Sequence, residues 1–398
     1  MKVEIVRFNH NGDGIGYLDG KIVFVAKTVP GDVVLLSNLI EHKNYLEASV
    51  SEYLEYSSLR EEIKCPYYFK CGGCQLMGIS YDRVLDYKKD KVIDILSKYA
   101  KVDVNPSIYG GNCYKYRNKV ILQVKDGVIG LYMALTNELV PIDNCMLISE
   151  NMNNLIKVIK ENIDLIDVSK IMIREANSEL MVVFYDDVDR DIVINKLSSL
   201  VKSIYINKDL VYGSRYLEEK LGNYLFDISP ESFFQVNLDM TIKLYDCIKK
   251  YLGIDNKNVM DLYCGTGTIG IYVSDCCDKI DGIEINHSSV MDAKRNILKN
   301  KLDNIEVREG DVGRLLHNDN CYDAIIVDPP RSGLDKRTRK ILKTIKSNKI
   351  IYVSCNPITL ARDLSDLMEV YEVVDISLFD MFPNTYHVEC VVLLKLKK

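Results

Sequence analysis

The chain has 398 residues, a formal net charge of −6, 47% hydrophobic residues and 27% charged ones. This is the composition of a soluble globular protein, and the length predicts two or three domains at roughly 150 residues each. No apolar run approaches ~20 residues, which excludes a transmembrane helix, and the N-terminus MKVEIVRFNHNG lacks the apolar core of a signal peptide.

Residues 1 to about 56 alternate apolar and polar positions between turn signals. VEIVRF, NGDGIGYLDGK, IVFVAK, VPGDVVLLSNLI and LEASVSEYLEY read as four or five short strands, and such spacing predicts a small barrel. From Cys65 to about Asp227 the pattern is mixed. A helix is expected from Tyr81 to Tyr99, with Leu85, Val92, Leu96 and Tyr99 on one face. VILQV, Lys125-Asp126-Gly127 and VIGLYM predict a hairpin over Lys119 to Met133. Helical stretches at Asn151 to Ile166 and Asp191 to Val201 alternate with apolar strands such as Leu180 to Tyr185.

The acidic total weighs against a nucleic-acid partner. Three segments are nevertheless locally basic: Tyr87-Lys88-Lys89-Asp90-Lys91, the run Tyr114 to Lys119, and Lys336 to Lys349. The middle one interleaves Tyr with Lys and Arg, as a surface that stacks bases and binds phosphates would. A solvated face explains any one of them equally well, but together they keep a polyanion partner open.

From Ser229 onward, apolar strands are regularly followed by helices. The pattern predicts an α/β, doubly wound, mostly parallel sheet. Its first strand ends in Asp261-Leu-Tyr-Cys-Gly-Thr-Gly-Thr-Ile-Gly270, and Glu284 closes the next strand about 20 residues on. Gly265, Gly267 and Gly270 match a dinucleotide fingerprint that would suit NAD, FAD or S-adenosylmethionine, each of which presents an adenosine ribose. Asp311 and Asp328 close the third and fourth strands. This row of carboxylates would repel a pyrophosphate and favours the cationic sulfonium of S-adenosylmethionine. Asp328 lies in an Asp-Pro-Pro motif, but Arg331 follows where amine methyltransferases carry an aromatic residue.

Cys355 follows the strand KIIYV (Lys349 to Val353) and precedes Asn356 and Pro357, a capping residue and a first-turn residue. The thiol is expected at a strand-to-helix junction, where the helix dipole favours thiolate; a lone buried cysteine is otherwise an inert core residue. Carbon-5 of a pyrimidine is a poor nucleophile, and thiolate addition at carbon-6 makes it an enolate equivalent that can take a methyl group. A base must then remove the carbon-5 proton. Glu389, an acid inside the apolar run HVECVVLL, is the candidate if its strand lies beside that of Cys355. With no helix between Phe379 and Val388, the last two strands are expected to pair antiparallel.

Twelve cysteines in a chain with no secretion signal predict a reducing, cytoplasmic setting, where clustered cysteines bind metal or do chemistry. Cys65, Cys71 and Cys74 fall in CPYYFKCGGC, and Cys145 is the first choice for a fourth ligand, with Cys113 second. Thiolate ligation suits zinc or an iron–sulfur cluster, and the asymmetric spacing leans toward [4Fe-4S].

With these residues assembled, the chain resembles the RNA 5-methyluridine (uracil-C5) methyltransferase family, in its iron–sulfur-containing branch, nearly end to end. CPYYFKCGGCQ resembles the cluster motif, with Cys145 at the fourth-ligand position. FFQVN, DLYCGTGTIG, GIEI, DPPRSGLD, SCNPITLARD and HVEC resemble the cofactor and catalytic motifs in order. The resemblance implies a TRAM-like, RNA-binding barrel over 1–56 and a central iron–sulfur domain over 57–80 and 108–227. It implies a catalytic, Rossmann-like S-adenosylmethionine-dependent domain over 81–107 and 228–398. It places Gln235, Tyr263, Thr268, Glu284, Asp311 and Asp328 around the cofactor and target base, with Cys355 as nucleophile and Glu389 as base. Thr268 stands where some members have Asn. The implied substrate is a uridine in structured RNA, 23S rRNA for the cluster-bearing branch and tRNA for cluster-free relatives, with no membrane and no obligatory protein partner. Two alternatives are a nicotinamide oxidoreductase with an iron–sulfur relay and a non-catalytic RNA-binding protein.

Overall fold

The computed structural model describes residues 1–134, 136–254, 256–316 and 322–398, and every count below is made among them. Six strands between Lys2 and Glu55 form one sheet. Its two edge strands, Lys2–Glu4 and Arg7–Phe8, are joined only by Ile5 and Val6, so the sheet has to close on itself. There is one strand more than the pattern predicts because VEIVRF breaks at Ile5, whose amide donates to the Asp32 carbonyl at 2.9 Å. The interior is Val3, Ile5, Val23, Val25, Val34, Leu36 and Leu46.

A second sheet has seven strands between Lys119 and Gly213. The expected hairpin is there as Lys119–Lys125 and Val128–Tyr132, with Asp126 at φ 51 and Gly127 at φ 72. Two consecutive positive φ values make the tight turn that an Asp-Gly pair favours. The helices expected over 151–166 and 191–201 are shorter, Glu150–Glu161 and Arg190–Leu197, each started by a capping Ser149 or Asp189.

The third sheet carries the chemistry. In chain order its elements are α1 (Tyr81–Ile95), β1 (Ser107–Tyr109), α2 (Leu238–Leu252), β2 (Asn256–Leu262), β3 (Cys277–Glu284), α3 (His287–Lys299), β4 (Ile305–Glu309), β5 (Ala324–Val327), α4 (Lys336–Ile345), β6 (Lys349–Ser354), α5 (Pro357–Leu367), β7 (Tyr371–Phe379) and β8 (Glu389–Leu396). The strand order is β4-β3-β2-β5-β6-β8-β7-β1. β2 to β6 run parallel, and β8 inserts antiparallel between β6 and β7. The doubly wound, mostly parallel sheet with an antiparallel C-terminal pair is as the sequence predicts. No described helix is long and apolar enough to cross a membrane.

Helix α1 departs from expectation. Its buried residues are Val84, Lys88, Lys91, Val92 and Ile95, whereas Leu85 is half-exposed and Tyr99 is 51% exposed. Val92 and Ile95 join a core with Leu360, Leu364 and Leu367 of α5. The two lysines are buried because each has a specific partner: Lys88 pairs with Asp380, and Lys91 donates to the Tyr386 carbonyl. Lys88 and Lys91 are therefore not part of a phosphate-binding surface.

Arg174 joins the second sheet to the third. It is 2% exposed and donates to the carbonyls of Ser229 and Ser232 at 2.9 and 2.8 Å. Arg174→Ala leaves the Ser229 carbonyl with only the Ser232 amide at 3.3 Å and takes the guanidinium from the Ser232 carbonyl; urea denaturation should report a loss of about 3 kcal/mol in stability.

Candidate active site

The glycine loop after β2 has the three glycines in three different roles. Gly265, at φ +54, has no atom within 4 Å of where a Cβ would stand, so a ligand can approach its backbone. Gly267, at φ +75, packs its α-carbon toward Ala293 of α3. At Gly270 a Cβ would come to 3.0 Å of Asp261 Oδ2, which accepts from the Gly270 amide at 3.1 Å. Glu284 braces the loop from β3, taking the Gly265 amide at 3.1 Å and the Asn286 amide at 2.7 Å. Thr268 shares a hydrogen bond with Tyr245 at 2.7 Å, and Tyr263 sits at φ 61 beside Thr338 and Asp335.

Asp261 is 1% exposed, and its Oδ1 takes no hydrogen bond among the described residues. Burial and the Asp328 charge push its carboxyl up to about 7. Burial does the same to Asp328, also to about 7, although its edge still reaches solvent. A cation bound beside them would relieve both effects. Asp311 and Gly310 line a cavity of about 520 Å³ with Ile285, Arg314 and Leu315, next to the carboxyl end of β3. Gln235 lies just before α2, and Asn118 donates to its carbonyl at 3.0 Å.

Cys355 stands between β6 and α5. Asn356 caps α5, accepting the Ile358 amide at 3.1 Å, and its side-chain amide donates to the Arg331 carbonyl at 3.0 Å. Thr359 donates to the same carbonyl at 3.2 Å. The DPPR turn is thereby fastened to the start of α5, which brings the Arg331 charge to Cys355 and Glu389. On the neighbouring strand, Cys390 is in register with Ser354. Glu389 therefore emerges beside Cys355 at the carboxyl end of the parallel sheet, 8% exposed.

The electrostatics differ from the sequence expectation. Burial, then the Glu389 charge, push the Cys355 thiol up to about 11, against a smaller downward pull from Arg331. Desolvation outweighs the helix dipole, so the resting sulfur is a thiol. Glu389 is pushed up to about 8, by burial first and Asp328 second. A carboxylate held this high is a stronger base than an ordinary Glu. Arg331 is a residue whose place at the site the motif alone did not reveal.

Cys65, Cys71, Cys74 and Cys145 all line one cavity of about 420 Å³, together with Tyr67, Tyr68 and Arg117. Cys113 lies elsewhere, near Asp380 and Lys88. No three His, Cys, Asp or Glu side chains among the described residues are close enough to hold a metal ion. The basic run at Tyr114 to Lys119 acts mostly as a connector: Lys115 pairs with Glu150, Tyr116 donates to the Pro383 carbonyl, and burial lowers Lys119 to about 8. In the basic segment from Lys336, Arg339 and Lys343 are held by Asp363, Asp366 and Glu369, while Lys336, Arg337, Lys340 and Lys346 remain exposed.

Comparison with known proteins matches this geometry. A profile of tRNA (Uracil-5-)-methyltransferases matches residues 313–397, which contain Asp328, Cys355 and Glu389. A methyltransferase small domain matches 226–349 and a TRAM domain 1–36. An uncharacterized RNA methyltransferase of Clostridium acetobutylicum is 32% identical over 99% of this chain and 96% of its own length. One from Caldanaerobacter subterraneus subsp. tengcongensis is 33% identical over 99% and 97%. The chain belongs to the uracil-5 RNA methyltransferase family. The crystal structure of Pyrococcus abyssi tRNA (uracil-54, C5)-methyltransferase in complex with S-adenosyl-L-homocysteine superposes with a TM-score of 0.83 at 27% identity. It covers 99% of this chain and 100% of that one. The fold is that of S-adenosylmethionine-dependent methyltransferases with an N-terminal TRAM domain, and membership of this family removes the nicotinamide oxidoreductase alternative.

The raised Cys355 thiol has a measurable signature in this methyltransferase. Its alkylation rate, followed by mass spectrometry of the Cys355 peptide, should keep rising about tenfold per pH unit past the point where an ordinary thiol levels off near ~9. In Glu389→Gln the curve should move to lower pH, because the carboxylate that opposes ionisation is gone.

Proposed function

We propose that this protein transfers a methyl group from S-adenosylmethionine to carbon-5 of a uridine in structured RNA through a covalent Cys355 adduct. The observation that carries this is the β6–β8 register, which sets a thiol and a buried high-pKa carboxylate side by side at the carboxyl edge of the sheet that also carries the glycine loop. Cys355 gives up its proton to solvent and adds as thiolate to carbon-6 of uracil, which leaves electron density on carbon-5. S-adenosylmethionine would supply the electrophilic methyl group. Glu389, once ionised, takes the carbon-5 proton; the C–H electrons restore the 5,6 double bond and the carbon-6–sulfur bond breaks, freeing Cys355 as thiolate. Arg331 favours the ionised form of both residues.

The donor set fits the cofactor. Asp261 has an unpaired buried oxygen, Gly265 faces open space, and the acids at the strand ends gain from a neighbouring cation. In this reading Gln235, Tyr263, Gly265, Gly267, Thr268, Glu284, Asp311 and Asp328 line the cofactor and target-base site. Residues 1–56 form the RNA-binding barrel, 57–80 with 108–227 the cysteine-bearing domain, and 81–107 with 228–398 the catalytic domain. Four thiols lining one cavity are the ligand chemistry that an iron–sulfur cluster takes. A [4Fe-4S] group held by Cys65, Cys71, Cys74 and Cys145 would tie that loop together, and a reducing cytoplasm would keep the thiols available. That cysteine set favours 23S rRNA as substrate; the likeness to the Pyrococcus abyssi enzyme favours tRNA as the second reading.

Labelled S-adenosylmethionine with separated ribosomal and transfer RNA tests both. Wild type should label one RNA class, and Cys355→Ala should label none; equal label in the two proteins defeats the proposal. Glu389→Gln should lower turnover at least about 100-fold and leave a covalent protein–RNA adduct on denaturing gels.

Cofactor affinity carries a pH dependence with a defined sign. Asp261 and Asp328 are raised to about 7, so below that pH they bind protons that a cationic ligand must displace. Calorimetric titration should show binding that weakens as pH falls through about 7, by up to about tenfold per unit for each proton displaced.

A further inference from the structure

The loop 380–388 between β7 and β8 holds none of the residues assigned above to the uracil chemistry, yet it ends at Glu389, which pairs with Phe379 on the closing rung of the hairpin. Groups from several distant parts of the chain hold it, among them Tyr116 at the Pro383 carbonyl and Asn237 at the Met381 carbonyl. On one arm, Lys88 pairs with Asp380 and donates to the Phe382 carbonyl at 3.1 Å. On the other arm, Lys91, one turn further along α1, donates to the Tyr386 carbonyl at 2.8 Å. At the tip, the amides of Gln75 and Leu76 both donate to the Asn384 carbonyl, at 2.9 and 3.0 Å. Asn384 is 6% exposed, at φ 65, and its side chain donates to the Cys113 carbonyl at 2.8 Å.

Gln75 directly follows Cys74. The segment 65–76 has no helix or strand of its own and is braced from the barrel, where Lys27 donates to the carbonyls of Cys71 and Cys74. Where the two amides sit is therefore decided by how the cysteine loop is tied down. We propose that the cysteine-bearing loop is a positioning element for the general base: by holding the tip of loop 380–388 at Asn384 it aligns Glu389, coupling the state of the cysteine set to removal of the carbon-5 proton.

The inference rests on the uracil-C5 reading above and assigns the cysteine set a role within it. A base displaced by about 1 Å loses up to about 100-fold in rate, and the loss falls on one step. Addition of Cys355 and uptake of the methyl group do not use Glu389 as the proton acceptor at carbon-5; elimination does. With the loop released, carbon-5 keeps its proton, the carbon-6–sulfur bond stays intact, and methylated RNA remains attached to Cys355.

Two RNAs separate these steps. On RNA carrying 5-fluorouridine there is no carbon-5 proton to remove, so adduct formation reports addition and methyl uptake alone. On ordinary RNA, the fraction of protein in covalent adduct during turnover reports elimination. Cys74→Ser removes one thiol of the set, and Lys27→Met removes the brace from the barrel while leaving all four thiols and the Cys71–Met133 bridge in place. Both variants should trap fluorouridine RNA within about twofold of the wild-type rate, turn over ordinary RNA about 10- to 100-fold more slowly, and accumulate adduct. If Cys74→Ser does not fold, Lys27→Met decides. Wild-type elimination in the variants, or trapping that falls in step with turnover, overturns the coupling. Absence of any fluorouridine adduct in the wild type would instead overturn the uracil-C5 reading itself.

Discussion

The pairing of β8 between β6 and β7 is the constraint on which everything else at the site depends. An antiparallel strand inserted beside the last parallel strand brings a residue from near the C-terminus back to the carboxyl edge of the sheet. Side chains alternate faces along a strand, so the register Ser354–Cys390 decides which side chain meets Cys355. A slip of one residue would turn Glu389 to the opposite face and present an apolar neighbour instead. The apolar residues on both faces of β8, from Cys390 to Leu394, oppose such a slip because all of them are buried.

The same burial sets the chemistry. A site this dry holds Cys355, Glu389, Asp261 and Asp328 all toward their neutral forms. In a low-dielectric crevice the acids repel one another's charges, and Arg331 only partly compensates. The resting protein is thus poised rather than charged, and arrival of a cation changes the balance for several groups at once. A sulfur held as a thiol is also less open to idle oxidation than a thiolate.

Much of the architecture was legible in the chain, for identifiable reasons. Strand–helix alternation after Ser229 and the missing helix between Phe379 and Val388 are enough to place β8, because connections without a helix fold back antiparallel. Asn356 and Pro357 announced the start of α5, and the cap is present. Asp126 and Gly127 announced a turn that is also present. What the chain hid depends on long-range contact. A helix dipole contributes roughly 0.3–1 kcal/mol, so the thiolate expected at Cys355 yields to desolvation, a term that no local motif discloses. Lys88 and Lys91 look like surface cations because their acceptors, the carbonyls of Phe382 and Tyr386, leave no trace in the side-chain pattern. In the basic run at Tyr114 the contact that the pattern does not disclose is of the same kind: the Tyr116 hydroxyl donates to the backbone of Pro383.

Helix α1 has a consequence for how the molecule is made. Its lysines leave the ribosome early, yet their partners lie 292 and 295 positions further along the chain. Until that later stretch is synthesised, Lys88 and Lys91 lack their acceptors, and Val92 and Ile95 wait for the leucines of α5. Contacts of such separation form slowly and late, so the nascent polypeptide stays incomplete at its centre until its final strand arrives. A truncated product would lack Glu389 and also leave the two buried lysines without acceptors, a defect of the kind that exposes unfinished chains to quality-control proteases.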